Sequence, residues 1–236
     1  MKYIEVQEYA TYNVIKMQRE KAMNALNEQM LQELSDAVRF SGKQKKHIII
    51  SGYGEVFCAG GDLKLMQNID NEKEAFAVSE YVQAVMQEIE DYPLVSIAAV
   101  NGLCYGGGVE LALSCDFIFA GENAVFSMPE LNYVIIPGGG GTVRLVKKIS
   151  YSKALDLLLT AKQLEAYNAL KSGLADKVFA SEKLLQETES YLKSIKTENT
   201  EAISLLKQSF KSGSYKTEAV NFASLLLKYG KDKMLF

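Results

Sequence analysis

Apolar residues recur with two different periods in the N-terminal two thirds of the chain. A period of two predicts strands and a spacing of three to four predicts helices. In chain order the predicted elements are strands at 2–8 and 11–18, a helix over 27–40, a strand at 47–52, helices at 63–67 and 72–89, and a strand at 94–100. Because helices alternate with short buried strands, the pattern predicts α/β layers joined by crossover connections.

Helical spacing dominates after residue 150. The predicted helical segments are 151–160, 164–171, 181–196, 200–211 and 214–229. No linker rich in Gly, Ser or Pro separates the two parts, and the whole chain has only 3 prolines. We therefore predict an α/β core at 1–150 that continues directly into a helical C-terminal region at 151–236.

Composition narrows the class of protein. The 236 residues are 48% hydrophobic and 23% charged, which is typical of a globular chain able to bury a large core. A net charge of −3 disfavours a nucleic-acid partner held by bulk charge. Apolar runs such as 94–100 and 133–137 are too short to cross a bilayer, and residues 1–30 lack the pattern of a signal peptide. We expect no membrane partner.

Cysteine and histidine are scarce. Three cysteines (Cys58, Cys104 and Cys115) and one histidine predict neither a disulfide framework nor a zinc site, so we expect no metal and a reducing, cytoplasmic setting. His47 directly precedes the apolar run 48–50 and is interpreted as opening a buried strand. Acid–base chemistry then falls mainly to carboxylates, Tyr, Lys or backbone amides.

Three glycine-rich clusters are candidates for a ligand-binding or catalytic role. They are residues 57–63, 101–110 and 136–142. Glycine at the start of a helix lets a ligand approach unpaired backbone N–H groups, and two facing turns could aim two donors at one thioester or other carbonyl oxygen. Ordinary tight turns are the alternative. A dinucleotide-binding fingerprint and a P-loop are both absent from the sequence.

Two carboxylates accompany these turns. Glu110 stands two residues past Gly108 in the first turn of a short helix, and Glu130 follows Pro129. If 112–119 returns through the sheet, both carboxylates reach one pocket, where a partly apolar setting can make one an acid and the other a base. The structural alternatives are a Glu favoured by the helix dipole and a capping residue.

Taken together, these motifs resemble the crotonase (enoyl-CoA hydratase/isomerase) superfamily. The resemblance rests on FCAGGDL, IAAVNGLCYGGGVELALSCDFIFAGENAVFSMPEL and IPGGGGTVRL in this order and spacing, and it extends over nearly the whole chain. Residues 18–26 are similar to the N-terminal segment of the family, although Glu20 stands where a proline is usual.

The resemblance implies a ββα spiral core whose C-terminal helices assemble a homotrimer or a dimer of trimers. It implies that the amides of Gly61 and Gly107 hold the thioester carbonyl, with no tightly bound cofactor and with coenzyme A as part of the substrate. Residues matching stretches that line the coenzyme A site are Lys21, Ala22, Ala59, Asp62 and Leu63. Asp62 also has the simpler interpretation of a residue at a helix start.

Glu110 and Glu130 match the positions of the two catalytic glutamates of the hydratases. Having both favours syn addition of water to a 2-enoyl thioester, with Glu130 delivering a proton to C2 and Glu110 positioning and activating the water. The enzyme alternatives are a Δ3-Δ2 isomerase that uses Glu130 alone and a decarboxylase or C–C bond-forming relative. A non-catalytic scaffold is disfavoured, because it would not require these residues.

Longer family members continue past residues 231–234 with a helix that helps to cover the adenine and 3′-phosphate of coenzyme A. The sequence stops at Phe236, and this favours a thioester carried on an acyl carrier protein, which has no adenosine to cover. Some polyketide-pathway relatives use such a substrate. The simpler expectation, which we prefer, is that the carrier is coenzyme A and that a lysine near the C-terminus takes over the role of this helix. The candidates for this lysine are Lys228, Lys231 and Lys233. The sequence leaves the acyl-chain length open.

Overall fold

The computed structural model describes residues 1–195 and 199–230. The last residue of the predicted segment 181–196, as well as Lys231 and Lys233, lies outside the described residues. Within them, the strands are β1 (Ile4–Glu8), β2 (Tyr12–Met17), β3 (His47–Gly52), β4 (Val56–Cys58), β5 (Ser96–Val100), β6 (Leu103–Tyr105), β7 (Phe117–Gly121), β8 (Val125–Ser127), β9 (Leu164–Glu165) and β10 (Lys177–Phe179).

The α-helices are α1 (Glu28–Lys43), α2 (Leu63–Met66), α3 (Glu72–Glu90), α4 (Gly107–Leu113), α5 (Gly141–Lys148), α6 (Tyr151–Thr160), α7 (Ala166–Ser172), α8 (Leu184–Lys193), α9 (Thr200–Ser212) and α10 (Tyr215–Leu225). Short 3₁₀ turns cover Glu20–Ala22, Glu130–Tyr133 and Ser181–Lys183, and one π-helical turn covers Leu226–Gly230.

Two sheets organise the strands. The larger has the order β1-β2-β3-β5-β7-β10 and is parallel except for the β1–β2 pair. The smaller has the order β4-β6-β8-β9 and is parallel except for the β8–β9 pair. Three successive strand pairs (β3–β4, β5–β6 and β7–β8) each place their first strand in the large sheet and their second in the small one, before the chain enters a helix. This repeat confirms the predicted ββα spiral.

The large sheet is buried on both faces, and β3 demonstrates why its sequence is a continuous apolar run. Ile48 and Ile50 pack in a cluster with Met30 of α1, whereas Ile49 packs in a second cluster with Leu184 of α8. Successive side chains of a strand point to opposite faces, so a strand covered on both sides needs apolar residues at every position. His47 opens this strand as predicted, and its Nδ1 accepts the Val95 N–H at 3.1 Å.

The small sheet is the main feature that the sequence pattern does not predict. The first glycine cluster begins within β4 rather than following β3 directly, and the second contains β6 and the start of α4. Strands of three residues are too short to produce a recognisable alternation. Segment 164–171 likewise divides into β9 and α7, whereas the remaining helical segments of the C-terminal region match α6, α8, α9 and α10.

The boundary at residue 150 stays a prediction. Strands β9 and β10 come from the C-terminal region and pair with β8 and β7, so the two regions share both sheets. Over the residues with described coordinates, no helix has the length and apolar character needed to cross a membrane.

Candidate active site

The small sheet brings three loops to one edge. Strands β4, β6 and β8 are parallel neighbours, and the segments that follow them carry Gly61, Gly107 and Glu130. The carboxyl ends of parallel neighbours meet at the same edge, which is where ligands bind in open α/β sheets. Residues from three distant parts of the sequence therefore line one site.

The first candidate donor is the Gly61 N–H. Its neighbours are engaged with the segment before α1: Leu26 N–H donates to Gly60 O at 2.8 Å, and Asp62 N–H donates to Leu26 O at 3.0 Å. In this parallel bridge the N–H of Gly61 points away from Leu26. It donates no hydrogen bond to any of the described residues.

The second candidate donor is the Gly107 N–H, at the first position of α4. Bonding within this helix begins with Val109, whose N–H donates to Gly106 O at 2.8 Å, and Gly107 N–H has no acceptor in the described part of the chain. Gly106 has φ 49° and ψ −118°, a conformation that in practice only glycine adopts. This turn directs the start of α4 toward the site.

The two donors are close enough to serve one oxygen. A Cβ built on Gly107 would lie 3.3 Å from Gly61 N, and one built on Gly60 would lie 3.2 Å from Gly107 N. An oxyanion hole requires two such neighbouring backbone N–H groups that no protein acceptor occupies. The structure thus brings the two predicted donors together.

Glu110 lies one turn further along α4 and is only 4% exposed. Its Oε1 accepts the N–H groups of Gly139 at 2.8 Å and Gly141 at 2.7 Å, both from the third glycine cluster. Burial raises the pKa of Glu110, while these two hydrogen bonds and the charge of Arg144 oppose the rise. The third cluster therefore supports the ionised form of one carboxylate.

Glu130 lies in the 3₁₀ turn after β8 and is 8% exposed. Its carboxyl group covers Gly106, with Oε1 3.1 Å from a Cβ built there. Its Oε2 is buried and has no hydrogen-bond partner in the described residues. Burial raises the pKa of Glu130 to about 7, and the nearby charge of Glu110 adds to this effect.

A metal centre and a reactive thiol are two other kinds of group that could take part in this chemistry. Among the residues whose positions are described, no cluster of His, Cys, Asp or Glu could hold a metal ion. The three cysteines are unpaired, and burial raises the pKa of Cys58 to about 12. The polar chemistry of the site thus consists of two backbone donors and two buried carboxyl groups.

The family model described as enoyl-CoA hydratase/isomerase matches residues 7–226. The chain belongs to this family. A probable mitochondrial enoyl-CoA hydratase of Dictyostelium discoideum is 37% identical over 197 residues, covering 83% of this chain and 70% of that protein. A crotonyl-CoA hydratase of Syntrophomonas wolfei is 39% identical over 203 residues, covering 85% of this chain and 78% of that protein.

Solved structures agree with the sequence relatives. The enoyl-CoA hydratase from Bacillus anthracis superposes with a TM-score of 0.91 at 29% identity, covering 99% of this chain and 94% of that one. An enoyl-CoA hydratase subunit from Geobacillus kaustophilus gives a TM-score of 0.90 at 31% identity, covering 98% and 92%. The crotonase resemblance and its fold are confirmed.

The residues that the family assigns to coenzyme A lie on two adjoining segments. Ala59 N–H donates to Met23 O at 3.0 Å, which holds the first glycine cluster beside the 3₁₀ turn that contains Lys21 and Ala22. Lys21 and Leu63 are exposed, and Ala22 is half-buried. The geometry brings these residues to one rim, and their role in binding stays a prediction.

Asp62 has contacts of its own within the protein. Its Oδ2 lies 2.7 Å from Arg19 Nη2, and its Oδ1 accepts the Lys64 N–H at 2.9 Å. Both contacts fit the simpler interpretation of a carboxylate at a helix start. Arg19 was not predicted from the sequence, because nothing local marks an Arg whose partner lies more than forty residues away.

Arg144 is the other residue that the sequence pattern missed. It is 8% exposed, and its guanidinium donates to Gly139 O at 2.8 Å and to Glu90 Oε2 at 2.7 Å. Its position in IPGGGGTVRL was part of the resemblance, but a single Arg on a short helix gives no signal that it faces inward.

Proposed function

We propose that this chain is an enoyl-CoA hydratase that adds water syn across the double bond of a 2-enoyl-CoA thioester. One observation carries the proposal: two unpaired backbone donors lie at the same sheet edge as two buried glutamates whose surroundings differ. Relatives named for this reaction, at up to 39% identity over most of the chain, support it.

The thioester carbonyl oxygen accepts the N–H groups of Gly61 and Gly107. Negative charge grows on that oxygen as the double bond is attacked, and the donors are already in place to bind it. Losing one donor of this kind costs about 10²–10³ in rate. The same bonds orient C2 and C3 relative to the carboxyl groups.

Glu110 binds and activates the water. Its Oε1 is occupied by Gly139 and Gly141, so we assign the water to Oε2. As the water oxygen bonds to C3, its proton passes to Glu110 while Glu130 donates its own proton to C2. The C2–C3 π bond is lost, C3–O and C2–H bonds form on one face, and the pair of glutamates holds one proton before and after the step.

Other enzyme classes receive less support. A Δ3-Δ2 isomerase needs only Glu130, which leaves the buried Glu110 and its two glycine donors without a catalytic task. No observation favours decarboxylation or C–C bond formation. The carrier in this proposal is coenzyme A, and an acyl carrier protein is the alternative that the experiment below distinguishes.

Assembly and location are parts of the proposal. A homotrimer or dimer of trimers is supported by exposed apolar residues on the C-terminal helices, among them Leu206, Phe210, Val220 and Phe222. The predictions of no tightly bound cofactor and of a cytoplasmic location rest on the family resemblance and on the cysteine content.

Loss of 2-enoyl absorbance with crotonyl-CoA in H₂¹⁸O, beside the same acyl group on a phosphopantetheinyl carrier protein, tests the proposal. We expect hydration of the coenzyme A substrate with ¹⁸O at C3. Turnover of the carrier-protein substrate alone would contradict the choice of carrier. A shifted double bond without ¹⁸O, or no turnover of either substrate, would contradict the hydratase itself.

A further inference from the structure

Helix α3 presents a stripe of polar side chains to the third glycine cluster. Ser79, Gln83, Gln87 and Glu90 are spaced by four, four and three residues, which places them on one face of the helix. All four contact either Gly138 or Arg144. None of the four was assigned a task by the sequence or by the reaction.

The N-terminal half of this stripe holds the loop directly. Ser79 Oγ donates to Gly138 O at 2.7 Å, and Gln83 Nε2 donates to the same oxygen at 2.9 Å. Val82 adds an apolar contact, since its Cγ1 lies 3.0 Å from a Cβ built on Gly139. One end of the glycine loop is thus fixed to α3.

The C-terminal half holds the loop through Arg144. Glu90 Oε2 accepts Arg144 Nε at 2.7 Å, and Gln87 Oε1 lies 3.4 Å from Nη2. The remaining Nη1 donates to Gly139 O at 2.8 Å. Gly140, at φ 96°, passes beneath the guanidinium, where a Cβ would lie 2.2 Å from Nη1.

The loop therefore has two hydrogen-bonded sides. The carbonyl groups of Gly138 and Gly139 are held by α3 and Arg144, while the N–H groups of Gly139 and Gly141 both reach Glu110 Oε1. The Gly139 residue belongs to both sides. A loop of four glycines (138–141) has little intrinsic preference for one conformation, so these external bonds select it.

We propose that Arg144, held by Gln87 and Glu90 of α3, is a positioning residue that fixes the glycine loop and through it the carboxylate of Glu110. Arg144 acts through the loop and has no contact with the reacting atoms. The inference rests on the proposed role of Glu110 in activating water.

Arginine suits this position better than lysine. A planar guanidinium can satisfy three acceptors in fixed directions, whereas an ammonium group supplies a charge without that geometry. The charged groups facing Glu110 are Arg144 from α5 and Glu130 from the turn after β8. Glu90 from α3 faces Arg144, and the exposed Lys147 lies 3.7 Å from the other oxygen of Glu90.

The test compares Arg144→Gln, Arg144→Lys and the control Lys147→Gln in crotonyl-CoA hydration. We expect R144Q to lower kcat by about 10²-fold, as a misplaced catalytic group does, with a much smaller change in KM. R144K should recover only part of this loss. K147Q removes an exposed partner of the same Glu90 and should retain wild-type kinetics.

A double-mutant cycle with Glu110→Gln separates positioning from a general structural effect. If Arg144 acts through Glu110, adding R144Q to E110Q costs little further activity. The acid limb of the pH profile should also move to higher pH in R144Q and stay in place in R144K, since Arg144 charge lowers the pKa of Glu110.

Wild-type kcat in R144Q, or an equal further loss in the E110Q background, would overturn the inference. If R144Q does not fold, Ser79→Ala with Gln83→Ala tests the same loop from its other end in the same cycle, and additive losses there would overturn it too. Full activity of E110Q would instead contradict the proposed function. Inactive E110Q with fully active R144Q would leave that function standing and reject this inference alone.

Discussion

The two glutamates of the site lie in surroundings of opposite character. Glu110 accepts two backbone N–H groups and faces the cation of Arg144. Glu130 has an oxygen without a hydrogen-bond partner among the described residues and faces the negative charge of Glu110. Burial raises the pKa of both. In Glu110, two backbone N–H groups and the charge of Arg144 oppose this rise, whereas in Glu130 only its own backbone N–H opposes it and the charge of Glu110 adds to it.

This contrast shows how one pocket can supply a base and an acid from the same residue type. The third glycine cluster donates to Glu110 and not to Glu130, so the loop is what makes the two carboxyl groups different. In the proposed mechanism the proton of the pair is on Glu130, ready for C2, while Glu110 is ionised and activates water.

Replacing each glutamate in turn should produce the largest effect. Glu130→Gln should lower kcat for crotonyl-CoA hydration by about 10²–10⁴, the usual value of a general acid, with ligand affinity nearly unchanged. Glu110→Gln retains an oxygen that can accept the Gly139 and Gly141 N–H groups, so the loop should persist while water activation is lost. Stopped assays measure kcat, and calorimetric titration with a coenzyme A thioester measures ligand affinity. A variant that turns over at the wild-type rate would remove its residue from the mechanism.

The pH dependence tests whether the pair of carboxyl groups must hold a single proton. Hydration needs Glu130 protonated, so kcat/KM should fall by about tenfold per pH unit once the pH is well above the pKa of about 7. The acid limb should lie at lower pH, because two backbone N–H groups and the charge of Arg144 oppose the rise that burial causes in the pKa of Glu110.

Dehydration of the 3-hydroxy product should have the same two limbs. The overall reaction consumes no proton, so the ratio of kcat/KM in the two directions cannot depend on pH. A profile that rises above pH 7 would contradict the requirement for one proton on the pair of glutamates.

The free energy of unfolding should also depend on pH differently for the two glutamates, with a smaller effect than on activity. Folding raises the pKa of Glu130 from 4.5 to about 7, so the protonated form is the one the fold favours. This contribution is complete below pH 4.5 and is lost as the pH rises through about 7.

Glu130→Gln, which is uncharged at every pH, should therefore gain on the order of 1–2 kcal/mol over the wild type at pH 8 relative to pH 5, allowing for solvent screening. Urea unfolding at the two pH values measures the difference. Glu110→Gln is the matched control and should gain less. An equal gain in both variants would erase the distinction between the two sites.

The sequence by itself determined the central strands and predicted which groups react. Ile48, Ile49 and Ile50 predict a strand covered on both faces because no polar position interrupts them. Gly61, Gly107, Glu110 and Glu130 could be predicted because each lies within a local motif that resembles the crotonase family, and their roles stay predictions.

Only the tertiary structure decided how these groups cooperate. Strands β4, β6 and β8 have three residues each and no periodicity to read, yet their pairing brings three loops to one edge. The side-chain partners of Arg144 lie more than fifty residues away along the chain, on a helix whose polar face looks like an ordinary solvated surface in sequence. Contacts between distant segments set the difference between Glu110 and Glu130, because a carboxyl group responds to what surrounds it in space rather than to its neighbours along the chain.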